Sequence, residues 1–424
     1  MLSMRSALLL TTALLLALPA QAQEMDHSAH MNHSAPAQAD TLPPQEEVDL
    51  STEPVTPAPA ATPAPANIDV PAPTTPTQLV PPLPSDESAI HVEEIPARPV
   101  AQPEPAANPH AGHGGGAHDS KPLTIDGLPV AAPDRRGNTP LEGEVKDGVR
   151  EFRLTTAPIA WPITDDVTVA AYAYNGQVPG PLLRVTAGEK IRVILTNNLS
   201  EPTTIHWHGV DVPIEMDGVP GISQAPVEPG ASFTYEFTVP NTPGTFWYHT
   251  HVNADKQMAL GLYGAFIIQP RNRMAPAWDS EHTLMLGEWT VKNGGNLPAM
   301  PMEGMFPNYF TINGKAWDST ERFTARVGER VLFRLIGSGS FSHPIHMHGV
   351  PFRIIAVDGH PLPPEQQMVR DTITVNPGER YDIVWTPTRP GTWLLHCHIN
   401  HHTMNDGKEV SGMGGMAIPI EVTQ

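Results

Sequence analysis

Short apolar runs alternate with clusters of turn residues from Gly143 to the end of the chain. The runs are rich in Val, Ile, Thr, Tyr and Phe, which favour extended backbone, so the pattern predicts strands. Five of the predicted strands are Val167–Tyr174, Lys190–Leu195, Ser232–Val239, Gly244–His249 and Ala265–Ile268. No convincing segment of helix length places apolar residues at a period of about 3.6. We therefore predict an all-β fold of sandwich or barrel type.

The second half of this region repeats the first. The segment VTAGEKIRVILTN (185–197) matches ARVGERVLFRLIG (325–337), and the segment 227–251 matches 375–398. A repeat of roughly 140 residues is too long for a solenoid unit and predicts two copies of one β-domain. We place domain 1 at 141–272 and domain 2 at 273–424. A connector at about 271–307 carries Gly294-Gly295 and three methionines: Met300, Met302 and Met305.

The N-terminus has the pattern of an export signal. Residues 1–22 combine Arg5, an apolar stretch from Ala7 to Leu18, and the small-x-small site Ala20-Gln21-Ala22. There is no Arg-Arg pair, so the general secretory route is favoured. We expect a signal peptide at 1–22 and a periplasmic or secreted mature protein.

A Pro-rich tail follows, and we expect residues 23–140 to be disordered. Between residues 36 and 110 there are 19 Pro, and residues 24–110 carry 13 acidic groups against one basic group. Such a segment cannot bury enough apolar surface to offset its chain entropy. The tail therefore accounts for more than half of the net charge of −20. That charge argues against a nucleic-acid partner, and no apolar run reaches the roughly 20 residues of a membrane span.

Two parts of the tail have metal-binding chemistry. Met25–His33 holds three His and two Met, and His110–His118 holds three His. Thioether and imidazole ligands suit copper, although a solvated tail with incidental His has the same composition. Whether these clusters bind copper stays open at this point.

Four His-x-His pairs occur at matching positions of the repeat. In a strand, residues i and i+2 project from one face, so each pair presents two imidazoles side by side. Eight imidazoles suit a cluster of three metal ions, and four such pairs make coincidence a poor explanation. The pairs are His206 with His208, His249 with His251, His346 with His348, and His396 with His398.

The single cysteine, Cys397, lies between the two histidines of the fourth pair and should face away from them. His343 precedes the third pair, and His402 follows Cys397 by five residues. Two His and one Cys with a weak axial thioether form a blue-copper site. An electron arriving at Cys397 could then pass along the backbone to His396 and His398.

These residues stand in the motifs H-W-H-G, W-Y-H-T-H, H-P-I-H-x-H-G and H-C-H-I-x-x-H. With them, residues 145–424 resemble the multicopper oxidases. The resemblance implies two cupredoxin-like Greek-key domains and copper as the cofactor. It also implies four one-electron oxidations of a substrate coupled to reduction of O2 to two waters.

The resemblance further implies one type 1, one type 2 and two type 3 coppers. By motif, His343, Cys397 and His402 hold type 1 copper, and His206 and His346 hold type 2. The six remaining histidines hold the type 3 pair: His208, His249, His251, His348, His396 and His398. His282, His360 and His401 stand outside the motifs and are interpreted as core or surface residues.

The motif does not give the axial ligand of type 1 copper directly. The family carries that residue five positions after the last His, where this chain has Gly407. The chain carries an insertion at Thr403–Gly415. Register counted back from the final strand favours Met416, with Met413 and Met404 as alternatives. Thr403 also stands where some relatives carry an acidic proton relay.

Asp217 matches the family aspartate that hydrogen-bonds near type 2 copper and helps protonate reduced oxygen. O2 reduction consumes protons, and a carboxylate beside the metal is a reasonable donor. The dipeptide Asp217-Gly218 also suits a turn, and both roles can hold.

The domain count resembles small two-domain laccases with type 1 copper in domain 2. That resemblance implies a homotrimer, in which domain 1 of one subunit meets domain 2 of the next. Copper nitrite reductases also have two cupredoxin domains, but that family places its Cys in domain 1 and lacks a type 3 pair. A copper-storage protein is the alternative from another class.

The sequence leaves the substrate open between Cu(I) or other metal ions, in copper tolerance, and phenols. Met-rich segments favour metal ions: the tail cluster, the connector methionines, and Met404 with Met413. Methionine also fills cores, which is the structural alternative.

Overall fold

The computed structural model describes residues 122–271 and 278–424. The predicted signal peptide and both Met/His clusters of the tail lie outside these ranges. Within them, no helix is long and apolar enough to span a bilayer.

The first domain is made of ten strands and one short α-helix, α1 (Ala254–Gln257). The strands form two five-stranded sheets, ordered β1-β5-β10-β9-β7 and β2-β3-β6-β8, with β4 paired to β3. A 3-10 turn, Ile214–Met216, follows β7. The strands are β1 (Pro140–Leu141), β2 (Glu144–Lys146), β3 (Val149–Pro162), β4 (Thr168–Tyr174), β5 (Gly180–Thr186), β6 (Lys190–Asn197), β7 (His206–His208), β8 (Ser232–Thr238), β9 (Gly244–His249) and β10 (Tyr263–Gln269).

The second domain has thirteen strands, in an eight-stranded and a five-stranded sheet. The larger sheet runs β12-β11-β15-β21-β17-β18 with β13 and β19 at its sides, and the smaller runs β14-β23-β22-β16-β20. Two 3-10 turns are Pro364–Gln366 and Asn400–Thr403. The strands are β11 (Ser280–Lys292), β12 (Gly295–Leu297), β13 (Tyr309–Ile312), β14 (Phe323–Arg326), β15 (Val331–Gly337), β16 (His343–Met347), β17 (Phe352–Val357), β18 (His360–Pro361), β19 (Val369–Arg370), β20 (Thr372–Val375), β21 (Arg380–Trp385), β22 (Gly391–Cys397) and β23 (Ala417–Thr423).

Alternation of polar and apolar residues explains how the sheets pack. In β6 the buried side chains are Ile191, Val193 and Leu195, while the residues between them are more exposed. This period of two sends one row of side chains into the core between the sheets. In β15 all seven residues are buried, because that strand is covered on both faces. The all-β prediction is confirmed, and all five strands predicted in the first domain are present.

One boundary drawn from the sequence differs from the structure of the described residues. Residues 122–140, predicted to belong to a disordered tail, are hydrogen-bonded to both domains. The Ala131 N–H donates to Ala160 O in the first domain at 2.9 Å. Leu123 pairs with Asn296 in the second domain, and the Asn138 side chain donates to the carbonyl of Thr283 at 3.0 Å. This segment gains order from tertiary partners that a local pattern does not reveal.

A buried ionic network joins the two domains. Arg334 donates from Nη1 to Asp382 Oδ2 at 2.7 Å and to Thr245 Oγ1 at 2.8 Å, and from Nε to Glu281 at 2.9 Å. Thr245 lies on β9 of the first domain, and the other residues lie in the second. The Arg334 side chain is only 8% exposed. Its loss would leave Asp382 buried without a cation.

We therefore expect Arg334→Met to lower the free energy of unfolding by about 3–5 kcal/mol, since it leaves a buried charge uncompensated. The matched control is Arg330→Met, because Arg330 pairs with Asp279 at the surface, where each side chain is 48% exposed. That change should remove less than about 1 kcal/mol. Urea unfolding followed by fluorescence measures both. Equal losses in the two variants would contradict a special role for the network.

Candidate metal centres

Strands β16 and β22 hold candidate ligands on opposite faces. They pair antiparallel, with Ile345 opposite Cys397 and His346 opposite His396. Cys397 points into the core of the second domain, where it is 1% exposed. His346 and His396 are half-buried on the other face. One strand therefore presents a thiol to one site and imidazoles to another.

The first site contains His343, Cys397 and His402, and the chain brings all three together. The two Nδ1 atoms are 3.1 Å apart, and Cys397 Sγ is 3.4 Å from Nδ1 of His402 and 3.9 Å from Nδ1 of His343. These separations suit three donors around one ion. We call this group the His2Cys site.

Burial controls the protonation of this site. Burial, with smaller contributions from His343 and His401, lowers the pKa of His402 to about 3, so its imidazole is neutral at neutral pH. Burial also raises the pKa of the Cys397 thiol to about 12 in the absence of metal. A bound metal ion must therefore displace the thiol proton, which is the usual linkage between metal binding and pH.

Phe310 on β13 covers one side of the His2Cys site, because its ring stacks on that of His402 at 3.8 Å between centroids. His343 is 0% exposed and His402 is 3% exposed. The insertion is held by Trp317, whose Nε1 donates to Val410 O at 2.7 Å, and by Asn308, which donates to Asp406 at 2.9 Å.

Met416 remains the favoured axial residue. It is 0% exposed and belongs to the same core cluster as Cys397. Its backbone N–H donates to His402 O at 2.9 Å, and its carbonyl accepts from the Cys397 N–H at 3.0 Å. Met413 and Met404 lie in the insertion and are partly exposed. The choice of Met416 stays a prediction that this placement supports.

The second-domain quartet comprises His346, His348, His396 and His398. His348 Nε2 is 3.1 Å from His396 Nε2, and His346 lies in the same tight group. The His398 ring is 5.6 Å from that of His346 and 5.7 Å from that of His396, between centroids.

The first-domain quartet comprises His206, His208, His249 and His251. Its tight group is His206, His208 and His249, with His208 Nδ1 at 3.3 Å from His249 Nε2. The His251 ring is 5.6 Å from that of His206, between centroids. Burial lowers the pKa of His249 to about 3 and that of His208 to about 4.

Asp217 adjoins the first-domain quartet. His206 Nδ1 donates to the Asp217 carbonyl at 2.7 Å, and the Asp217 carboxylate is 3.3 Å from the same nitrogen. The side chain is 29% exposed, so the carboxylate reaches both the imidazole and solvent.

Backbone carbonyls orient four of the imidazoles. Nδ1 of His206, His249, His346 and His396 each lies within 2.9 Å of a carbonyl oxygen. Because a carbonyl only accepts, Nδ1 carries the hydrogen and Nε2 keeps its lone pair. The lone pair of His249 Nε2 faces His208, and that of His396 Nε2 faces His348. Nitrogen atoms about 3.3 Å apart in this way fit ligands of one metal ion with bonds of about 2.0 Å.

The two quartets stay separate within one chain. Among the described residues, every close contact between quartet imidazoles pairs two rings of the same domain. The pocket beside the first-domain quartet is lined from the second domain by Gly339, Pro377 and Gly378, not by its histidines. One chain therefore holds two separate groups of four imidazoles.

Comparison with known proteins identifies the family. Residues 155–273 and 294–407 each match a family described as multicopper oxidase. A solved structure, the blue copper oxidase from Nitrosomonas europaea, is 35% identical with a TM-score of 0.60, over 65% of this chain and 86% of that one. The chain belongs to the multicopper oxidase family.

Other matching proteins are named as a copper resistance protein and as a laccase. Copper resistance protein A of Escherichia coli is 42% identical over 147 residues, 35% of this chain and 24% of that protein. Laccase-18 of Oryza sativa subsp. japonica is 34% identical over 242 residues, 53% of this chain and 39% of that protein. This chain spans from about a quarter to about a half of the length of such curated relatives.

Copper is the cofactor of the multicopper oxidases, with four ions as the family standard. The donor chemistry fits: the His2Cys site combines imidazoles with a thiol, as type 1 copper requires, and the quartets offer imidazole nitrogens. We call the His2Cys site the type 1 site, and we call the site predicted to combine both quartets the trinuclear site. The assignment of single histidines to type 2 or type 3 copper stays a prediction from the motifs.

Sequence reasoning missed a buried carboxylate at the type 1 site. Glu288 lies on β11, 4% exposed, with Oε1 at 2.8 Å from His343 Nε2. The available signal was one acidic residue inside the apolar run from Leu284 to Val291.

The histidines outside the motifs differ in position. His282 is a core residue, stacked on Phe323 at 3.9 Å between centroids. His360 is exposed, and His401 is exposed beside the rings of Phe310 and His402.

The three connector methionines differ in solvent exposure. Met300 and Met305 are buried with Leu297, whereas Met302 is 45% exposed. Two of the three therefore fill a small core, and only Met302 is available to solvent.

Proposed function

We propose that this protein couples four one-electron oxidations of a substrate to the reduction of O2 to water. The single observation that carries the proposal is strand β22, which points Cys397 to the type 1 site and His396 to a quartet on the other face. When bound, copper would take up single electrons at the type 1 site and deliver them to O2 at the trinuclear site.

The polypeptide connects the two sites for electron transfer and excludes water from the type 1 site. Cys397 is covalently continuous with His396 and His398, so the backbone itself is the route for an electron. The core residues around Cys397 keep water from the thiolate. Asp217 holds His206 through its carbonyl, and its part-exposed carboxylate is our candidate for supplying protons during O2 reduction.

We further propose that the active assembly is a homotrimer. Each chain contributes half of two trinuclear sites, and a head-to-tail contact between domain 1 and domain 2 of successive subunits closes into a ring. The separation of the quartets within one chain supports this arrangement. The export signal in the sequence supports a periplasmic or secreted location.

For the substrate we favour Cu(I) or another metal ion, in copper tolerance. The type 1 ligands are at most 3% exposed, which disfavours direct contact with a phenol ring. Met302, Met404 and Met413 offer partly exposed thioethers, the ligand type that Cu(I) prefers. Similarity to a copper resistance protein points the same way.

Phenol oxidation is the second candidate, supported by similarity to a laccase. Copper storage without turnover is the alternative from another class. Steady-state O2 consumption with Cu(I) and with a phenol separates all three. We expect O2 uptake with Cu(I) to exceed that with the phenol. Uptake with the phenol alone would support a laccase, and no uptake with either reductant would support storage.

The tail gives a further prediction. Deleting residues 23–120 should lower Cu(I) oxidation at low copper concentration and leave phenol oxidation nearly unchanged, because the Met/His clusters raise the local copper concentration. The measurement is the rate of O2 uptake against Cu(I) concentration. A matched control keeps the tail length and replaces only its Met and His residues with Ala. Equal loss of both activities on deletion, with no effect in the control, would indicate a structural role instead.

A further inference from the structure

Glu288 lies at a buried, apolar position that disfavours a charged side chain. It lies in the middle of β11, flanked by Leu286 and Trp289, which are at most 1% exposed. Its own side chain is 2% exposed. A carboxylate in such surroundings is strongly destabilised unless hydrogen bonds compensate it.

The compensating hydrogen bonds come from His343 of the type 1 site and from the turn that precedes β16. Oε1 accepts from Nε2 of His343 at 2.8 Å and from the N–H of Phe341 at 3.2 Å, and Oε2 accepts from the N–H of Ser340 at 3.3 Å. Among the described residues, no Lys or Arg forms an ion pair with this carboxylate. Its partners therefore belong to β16 and to the turn that leads into it.

The backbone of that turn is shaped around the carboxylate. A Cβ added to Gly339 would overlap Oε2 of Glu288, so glycine at this position leaves room for the acid where it stands. Gly339 also lines the pocket of the first-domain quartet. The close approach holds Glu288 against His343 and leaves it little freedom to turn away.

We propose that Glu288 is the positioning residue of the type 1 copper. This rests on the proposed assignment of His343, Cys397 and His402 to that copper. By accepting from Nε2–H, Glu288 keeps the lone pair on Nδ1 of His343, the atom that faces Cys397 and His402. A carboxylate on the far nitrogen also makes the imidazole a stronger donor. A stronger donor favours Cu(II) over Cu(I), so Glu288 lowers the reduction potential of the type 1 site.

The test compares copper-loaded wild-type protein with Glu288→Gln, Glu288→Asp and the control Glu281→Gln. Glu281 lies on the same strand and pairs with Arg334, away from the type 1 ligands. The readouts are the blue absorption band, the type 1 signal in electron paramagnetic resonance, the reduction potential, and copper affinity. For Glu288→Gln we expect a higher potential, an altered type 1 signal and an affinity about 10- to 100-fold weaker. Glu288→Asp should shift the potential part of the way, and Glu281→Gln should lower thermal stability alone.

The outcomes separate this proposal from the function on which it rests. A wild-type protein that binds copper without a blue band would refute the type 1 assignment itself. A blue wild-type protein whose potential and spectrum are unchanged by Glu288→Gln would overturn the role of Glu288. If Glu288→Gln does not fold, Glu288→Asp decides: a folded variant with wild-type potential and spectrum would equally overturn it.

Discussion

Cys397→Ser is expected to abolish the blue colour and the turnover while leaving the trinuclear copper in place. The thiolate is the only sulfur donor of the type 1 site apart from Met416, which is the predicted axial ligand, and a hydroxyl does not replace it. The eight imidazoles lie on other faces and need no contribution from Cys397. Copper should therefore fall from four ions per chain to about three. Elemental analysis, visible absorption and O2 uptake measure the three effects.

Met347→Leu is the matched control for this variant. Met347 lies between His346 and His348, as Cys397 lies between its own histidines, and it is 1% exposed in the same core. A swap of similar volume should change stability by less than about 1.5 kcal/mol and leave copper content and colour intact. Loss of all copper in Cys397→Ser, with normal copper in Met347→Leu, would show that the ligands are divided differently.

Subunit complementation should restore activity between two inactive variants. One variant carries His206→Ala and His208→Ala, which damages the first-domain quartet. The other carries His346→Ala and His348→Ala, which damages the second-domain quartet. Each variant alone should lose more than 99% of turnover, about the scale of a catalytic metal removed. Co-expressed in one cell, the two should regain activity, because an intact first-domain quartet can meet an intact second-domain quartet from another chain.

The recovered activity has an expected size. With random mixing of equal amounts, about three-quarters of trimers contain both variants, and each of those has one intact junction in three. About one-quarter of wild-type activity should return. Native mass spectrometry on differently tagged chains verifies the mixing. Mixed trimers without activity, or an active monomer in the wild type, would argue for a trinuclear site inside one chain.

The candidate copper ligands were readable from the sequence because their spacing is local. A strand repeats every two residues, so the spacing His396-x-His398 with Cys397 between them already separates two faces. For the same reason five of the ten strands of the first domain were predicted to within about two residues, as with Gly244–His249.

Other features depend on residues far apart in the chain. Residues 122–140 were assigned to the tail from the sequence, but hydrogen bonds to Ala160 in the first domain and to Thr283 and Asn296 in the second give them structure. Met300 and Met302 are two residues apart in the connector, yet Met300 is buried and Met302 is exposed. Met300 is buried because it packs with Leu297.

The sequence by itself determined the two-domain β-fold, the eight imidazoles and the thiol, since each follows from side-chain chemistry at a spacing of two along a strand. The tertiary structure alone decided that Glu288 meets His343 across 55 positions of sequence. The physical reason is packing. Which strands become neighbours depends on how both sheets bury their apolar faces together, and no local period encodes that choice.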